Sequence, residues 1–390
     1  MARNRMLMWK DLSFTIGALL VVVTTVRADS ATAPSASEMK MIPALRPVDD
    51  VPQVWVTPEY VHYWQNTTTK LPELLSIADP TDSFPIGSYY GNKGISWNDG
   101  KGAKLTVGAW IDEKKQYGIE LTGFYIPKQT QSVEFNPLPG NVDTFFDDFN
   151  TGSPSHLKQN FFPSDPASSA SFQYSTEQYG GEANGLIHVG TWEPTNGIKV
   201  NVDGLGGFRY FGLQDSYSDQ YLEPNAGFFY FDNFKTENNF YGANFGAHIR
   251  VECKRFFAEI TPKVALGVTD ESLDVSGSNV VPFNPGPGGF YASGNKLGQH
   301  SSTPFAYLPQ VTVKLGYNIN GTIEAFVGYD ALYLSDVARV ENQISTQLDG
   351  NQMAGFGFTP GGPADASPAY GVSSSSLFEQ GVTAGLTFKL

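Results

Sequence analysis

A single cysteine, Cys253, in 390 residues excludes an intramolecular disulfide framework and any zinc or iron–sulfur site that needs several thiolates. Charge is scarce too, at 16% of residues, and bases are the minority sign: 25 Lys and Arg stand against 39 Asp and Glu. At a net charge of −14 there is no basic face to neutralise phosphates, which excludes nucleic acid as a partner. Long apolar runs are absent. The longest, Phe14 to Val23, is about half of what a spanning helix needs. Catalytic signatures are missing as well: there is no G-x-S-x-G elbow, H-E-x-x-H, P-loop or C-x-x-C, and the five histidines are scattered singly. The expectation is a protein that is not an enzyme and carries no cofactor or dedicated metal.

Glycine (41), proline (25) and aromatic residues (14%) are plentiful, which argues for β structure. A mean hydropathy of −0.23 leaves a transmembrane β-barrel open, because its alternating strands average to near neutrality. The first 28 residues read as a cleaved signal peptide, with Arg3, Arg5 and Lys10 before the apolar run and Val26-Arg27-Ala28 as the cleavage site. Residues 29–53, rich in Ala, Ser and Pro, read as a flexible periplasmic lead-in.

From residue 54 onward, segments alternate apolar with polar or small residues. In the last of them Val382, Ala384, Leu386, Phe388 and Leu390 share one face, while Thr383, Thr387 and Lys389 share the other. Ten strands are placed on this pattern, centred near residues 59, 107, 121, 188, 204, 243, 262, 313, 327 and 385, and twelve would also be compatible. Their connections alternate between short turns and long loops, over roughly 65–102, 127–182, 213–233, 270–305 and 335–379. This predicts an all-β fold over 54–390: a transmembrane antiparallel up-and-down barrel with short periplasmic turns, long extracellular loops and periplasmic termini in a bacterial outer membrane. Its partners would be outer-membrane lipid and, during insertion, the barrel-assembly machinery.

The runs VWVTPEYVHYW, AKLTVGAWIDEKKQYGIELTGFYI, LGGFRYFGL, NNFYGANFGAHIRV, FFAEITPKVALGV, FAYLPQVTVKLGYNINGTIEAFVGYDALYLSDV and FEQGVTAGLTFKL resemble the blocks of the Putative beta barrel porin-7 family. The resemblance implies an outer-membrane barrel of planctomycete-type bacteria, with no settled substrate. Two departures stand out: Pro58 removes a ladder donor from the first strand, and the chain ends on Leu390, two residues after Phe388.

With apolar residues toward lipid, the opposite face lines the interior and carries both signs of charge: Lys104, Glu120, Asp203, Arg209, Arg250, Glu259, Lys263, Lys314, Glu324 and Asp330. These side chains could form an interior ion-pair ladder or a selective path for small solutes or ions. The five long connections hold 23 acids against 7 bases. In the third, Asp215, Asp219, Glu223 and Asp232 are expected as an exposed acidic mouth. Two functions follow: a porin-like pore for small polar solutes or ions, with an electronegative mouth that would draw cations, or a non-conducting structural or surface-recognition barrel presenting acidic, aromatic loops.

Overall fold

The computed structural model describes residues 54–67, 70–78, 85–95, 97–139, 142–148, 157–159, 167–195, 197–355 and 370–390. The expected signal peptide and lead-in lie outside the described residues. Ten antiparallel strands form a closed ring: β1 Val54–Thr67, β2 Trp97–Trp110, β3 Tyr117–Phe135, β4 Ser169–Thr195, β5 Ile198–Glu223, β6 Phe228–Cys253, β7 Phe256–Val280, β8 Phe305–Asn318, β9 Ile323–Ala338 and β10 Ser374–Lys389. Each pairs with its successor, and β10 returns to β1 through a ladder from Trp55↔Lys389 to Thr67↔Leu377. All ten expected strands are present in order.

The turn end of the barrel is built by local chemistry. Asp112 accepts the backbone N–H groups of Gln116 and Tyr117 at 2.8 and 2.7 Å, closing the β2–β3 turn. Gly197 adopts φ 87° between β4 and β5, the left-handed geometry that tight hairpin turns require. Asn320 accepts from Ile323 N at 2.8 Å in the β8–β9 turn. Pro58 does not break β1: it faces outward within an unbroken register opposite Leu105.

The loop end differs from expectation. The β5–β6 ladder runs without a break from Ile198↔Cys253 to Glu223↔Phe228, so residues 213–233 are strand, joined by a four-residue turn. The alternation there was masked because the pattern inverts along the strand. On β7, Val264, Leu266 and Val268 face outward and are exposed, and the next outward positions are Asp270, Ser272, Asp274, Ser276 and Ser278. Inward, the order reverses, from Thr261 and Lys263 low in the barrel to the buried Leu273 and Val275 above. The lower barrel is therefore apolar outside, as in lipid, and the upper barrel is apolar inside, as in water.

Outward tyrosines mark the switch. Tyr179, Tyr210 and Tyr241 contact in series at 6.1 and 5.2 Å between ring centroids, and Tyr307 meets Tyr333 at 6.0 Å. At the turn end Phe256 packs on Tyr317 at 5.1 Å. From Tyr307 to Tyr317 a strand covers about 33 Å at roughly 3.3 Å per residue, or about 25 Å along the normal at a tilt of about 40°, the height of an outer-membrane apolar band. Not every strand-end aromatic joins these girdles: Tyr63, Trp110 and Phe240 point inward and are buried.

The wall is uneven. It is tall over β3 to β7 and low elsewhere, since the β2–β3 ladder ends at Ala103↔Tyr125 and the β8–β9 ladder at Gln310↔Leu332. The long loops fold against the inner face of the tall wall. Leu74 and Leu75, Leu138 and Val142, Phe290 and Tyr291, and Ile344 and Met353 come from four different loops, and all join one buried core with Phe172, Tyr217, Tyr221, Tyr230 and Phe234 of the strands.

Candidate functional site

Three layers fill the barrel interior. The lowest is a cavity of about 250 Å³ whose lining includes all ten side chains expected to face the lumen. Most of the charge pairs join different strands. Glu59 on β1 meets Lys104 on β2 at 3.2 Å and Lys314 on β8 at 2.9 Å. Lys104 also reaches Asp330 on β9 at 3.3 Å, and Asp330 accepts from Tyr63 Oη at 2.8 Å, Gln310 Nε2 at 2.9 Å and Thr312. Nearer the turn end, Arg250 bonds Glu252 and Glu324 at 2.6 Å each and lies 3.6 Å from Glu259, with its guanidinium over the Phe257 ring. Lys389 closes that group on Glu324 at 2.6 Å.

On the opposite wall, Glu182 is the hub. It takes two 2.8 Å bonds from Lys263 Nζ, accepts from Asn184 and Asn244 at 3.1 Å, and lies 3.5 Å from Arg209. Two histidines complete the layer. His188 Nδ1 is 2.7 Å from Asp203, and His248 Nε2 is 3.5 Å from Glu120 while its Nδ1 is 3.0 Å from Thr261. Glu59 and Glu182 were absent from the sequence-derived set, although Glu59 sits on the same face as Val61 and Tyr63 of β1. Glu182 falls at the end of the expected loop over 127–182 but lies in β4.

The middle layer is apolar. Phe211, Leu213, Phe240, Ala265, Leu308, Leu332, Leu334 and Leu377 form one buried cluster, with Phe124 packed against it. These side chains come from β3 and from β5 to β10, so they occupy the lumen cross-section at the level of the tyrosine girdle. A ring of polar groups ties the walls together around them. Gln178 on β4 donates to Glu379 on β10 at 2.6 Å, and Asn238 on β6 exchanges two bonds with the Ala338 backbone, at 2.9 and 2.7 Å.

The upper layer holds the four acids expected at an exposed mouth, and here the structure corrects the sequence reading. Asp215, Asp219, Glu223 and Asp232 lie in strands, point inward and are buried. None of the four faces solvent, and two of them, Asp215 and Asp232, pin loops. Asp215 accepts from Arg339 Nε at 2.6 Å, a pair in which both side chains are about 2% exposed, and from Thr176 at 2.7 Å. Asp232 accepts the backbone N–H groups of Tyr291 and Ala292 at 3.0 and 2.8 Å. Loops are pinned to one another as well: Lys296 donates to the carbonyls of Ser345 and Gln347 at 3.0 and 3.2 Å, and burial lowers its pKa to about 7. Among the described residues, no group of three or more His, Cys, Asp and Glu is placed to hold a metal.

The family model described as Putative beta barrel porin-7 (BBP7) matches residues 55–390. No curated protein matches the sequence. Among solved structures the chain is similar to the outer membrane protease OmpT from Escherichia coli, at 10% identity, 87% of this chain, 97% of that one and a TM-score of 0.44. It is also similar to a Pseudomonas aeruginosa FadL homologue, at 8% identity, 86% and 90% coverage and a TM-score of 0.25. The P. putida toluene transporter TodX follows at 7% identity, 89% and 91% coverage and a TM-score of 0.18. At these scores the likenesses carry no functional argument.

Proposed function

The chain belongs to the Putative beta barrel porin-7 family of outer-membrane barrels, and from that premise we propose that it is a closed, non-conducting barrel in the form described. The observation that carries this reading is the apolar layer of Phe211, Leu213, Phe240, Leu308, Leu332, Leu334 and Leu377 across the lumen. An ion crossing it would have to leave water beside apolar side chains, while the surrounding Gln178, Glu379 and Asn238 are already engaged in bonds between the walls. Beneath the layer, the cavity is a charged vestibule whose carboxylates and ammonium groups already bond one another, so a polar solute would have to displace those pairs.

We assign the short turns and both termini to the periplasmic side, and the tall wall with its loop cap to the cell surface. The vestibule then opens toward the periplasm, where small polar solutes or cations can enter without crossing. The outward apolar band faces outer-membrane lipid, and insertion follows the route of barrels generally, through the barrel-assembly machinery. The polar outer face of the tall wall, with Asp270, Ser272 and Asp274 on β7, is what a cell-surface partner would meet.

Planar-bilayer recording on refolded protein tests the central claim. Wild type is expected to be silent, and a Phe211→Ala, Phe240→Ala, Leu308→Ala triple variant that still folds should be leakier. Step-like openings of the wild-type protein in the absence of any perturbation would refute closure and return the pore reading.

A further inference from the structure

Asp219 and Asp232 are directly opposite one another in the β5–β6 ladder, on the same inward face, at 1% and 0% exposure. Like charges opposite each other on adjacent strands repel, and burial removes the water that would screen them. The arrangement persists because of how the acceptor sites are filled. Both oxygens of Asp232 take backbone N–H groups of the loop, Oδ2 from Tyr291 and Oδ1 from Ala292. Asp219 Oδ2 takes the Tyr217 hydroxyl, while Asp219 Oδ1 is buried with no donor of its own. Directly opposed positions of an antiparallel ladder set Cβ atoms about 4.5–5.5 Å apart, which brings the two carboxyls within reach of each other. Two acceptors at that range bond only if one carries a proton.

We infer that Asp219 and Asp232 form a shared-proton latch that fastens the loop over residues 281–304 to the tall wall. Asp219, protonated, donates to Asp232; Asp232, ionised, holds the loop through two main-chain N–H groups. The loop is fitted to the carboxylate at close quarters: a Cβ added at Gly289 would lie 2.1 Å from Asp232 Oδ1. The loop in turn holds its neighbours, through Tyr291 Oη to Leu74 O at 3.3 Å and through Lys296 to two carbonyls of the loop after β9.

The surrounding groups leave the pair as the titrating unit. On β5, Tyr217 and Tyr221 face it, and on the loop Tyr291 does; burial holds all three hydroxyls well above their ordinary range, so they stay neutral. The Tyr174 hydroxyl on β4 feels the charge of Asp219 and Glu341, that of Tyr230 on β6 the charge of Glu223 and Asp232, and that of Tyr291 also the charge of Glu73. These further acids add negative potential and favour retention of the proton. Lys296 is a cation that interacts with Asp232. Burial holds both aspartates above the usual carboxylate range; facing Asp232 adds to the rise at Asp219, whereas the bond from Asp219 and the loop N–H groups oppose it at Asp232. A raised folded pKa means that the support lent by the shared proton is lost as pH rises through the folded value of the pair. The latch is therefore released by base.

The test is limited proteolysis of refolded, full-length protein by proteinase K from pH 6 to pH 10, scoring cleavage within 281–304. An Asp219→Asn variant, whose amide can donate to Asp232 at every pH, gives the reference in the same buffers and removes the protease's own pH dependence. The wild-type to Asp219→Asn cleavage ratio should rise at least tenfold across the range, while Asp232→Asn should be cut rapidly throughout. Lys296→Met should keep the wild-type trend. A ratio that stays within twofold of its pH 6 value, or a trend abolished by Lys296→Met, overturns the latch. Heat-modifiable migration on gels separates release of the loop from loss of the barrel. The readout does not depend on conductance, so the latch and the closed-barrel reading can fail independently.

Discussion

Glu182 is the carboxylate on which one wall of the vestibule depends, and neutralising it gives the sharpest test of how dry that vestibule is. In Glu182→Gln the shape is kept and the charge removed. Lys263 then loses both of its 2.8 Å bonds to a carboxylate, and Arg209 loses the carboxylate at 3.5 Å. The three side chains are 8%, 12% and 3% exposed, so little water is at hand to compensate. Removing one partner from such a group costs about 3–5 kcal/mol, because a buried cation is stranded. Taking Lys263 away as well, in Glu182→Gln with Lys263→Met, should restore about half of that loss, since Arg209 still lacks its partner. The assay is urea unfolding of the barrel in lipid vesicles, followed by tryptophan fluorescence. A cost below about 1 kcal/mol for the single change is what solvent-exposed pairs show. That result would mean the vestibule is screened by water and would remove the main argument that its ion pairs resist displacement.

Other expectations can be checked on the same preparation. Val313→Arg, near mid-band and outward, should cost about 2–4 kcal/mol, whereas Asp274→Arg, outward but above the tyrosine girdle, should stay within about 0.5 kcal/mol; equal losses in unfolding assays would misplace the membrane boundary. Arg339→Met should strand Asp215 and expose the loop after β9 to protease, and adding Asp215→Asn should reverse most of the effect. Lys296 has a folded pKa near 7, below its unfolded value of about 10.4. It therefore makes stability rise with pH between those limits, an increment that should vanish from pH-dependent unfolding curves in Lys296→Met. A membrane-impermeant maleimide should not reach Cys253 in intact cells, because the β6–β7 turn is assigned to the periplasmic side. Labelling there would invert the topology.

The lower barrel was legible in the sequence because one rule governs it. Leu105, Val107, Leu315, Val327 and Val382 alternate with the side chains that line the lumen, and all ten expected lumen residues are there. The upper barrel was not legible. On β5, Tyr217, Asp219 and Tyr221 alternate with Ser216, Ser218 and Gln220, a pattern with no apolar face to betray a strand, and so it read as loop. Burial of the acids was hidden for the same reason. Nothing in the spacing of Asp215 or Asp232 points to Arg339 or to the main chain at residue 291, more than fifty residues away. Glu182 lies in the part of β4 that reads as loop, since the glycines at 180 and 181 and the serines nearby resemble a connection until β3 and β5 are seen flanking them.

The inversion at the girdle has a consequence for how β5 and β6 find their alignment. A shift of one position between them would turn every side chain to the opposite face. Below the tyrosines this would drive Arg209 and Arg250 into hydrocarbon; above them it would push Phe234 and Tyr230 into water and drive Ser216 and Ser218 into the core. Misalignment is thus rejected twice, by two solvents acting on one ladder, and the hairpin is proofread along its whole length.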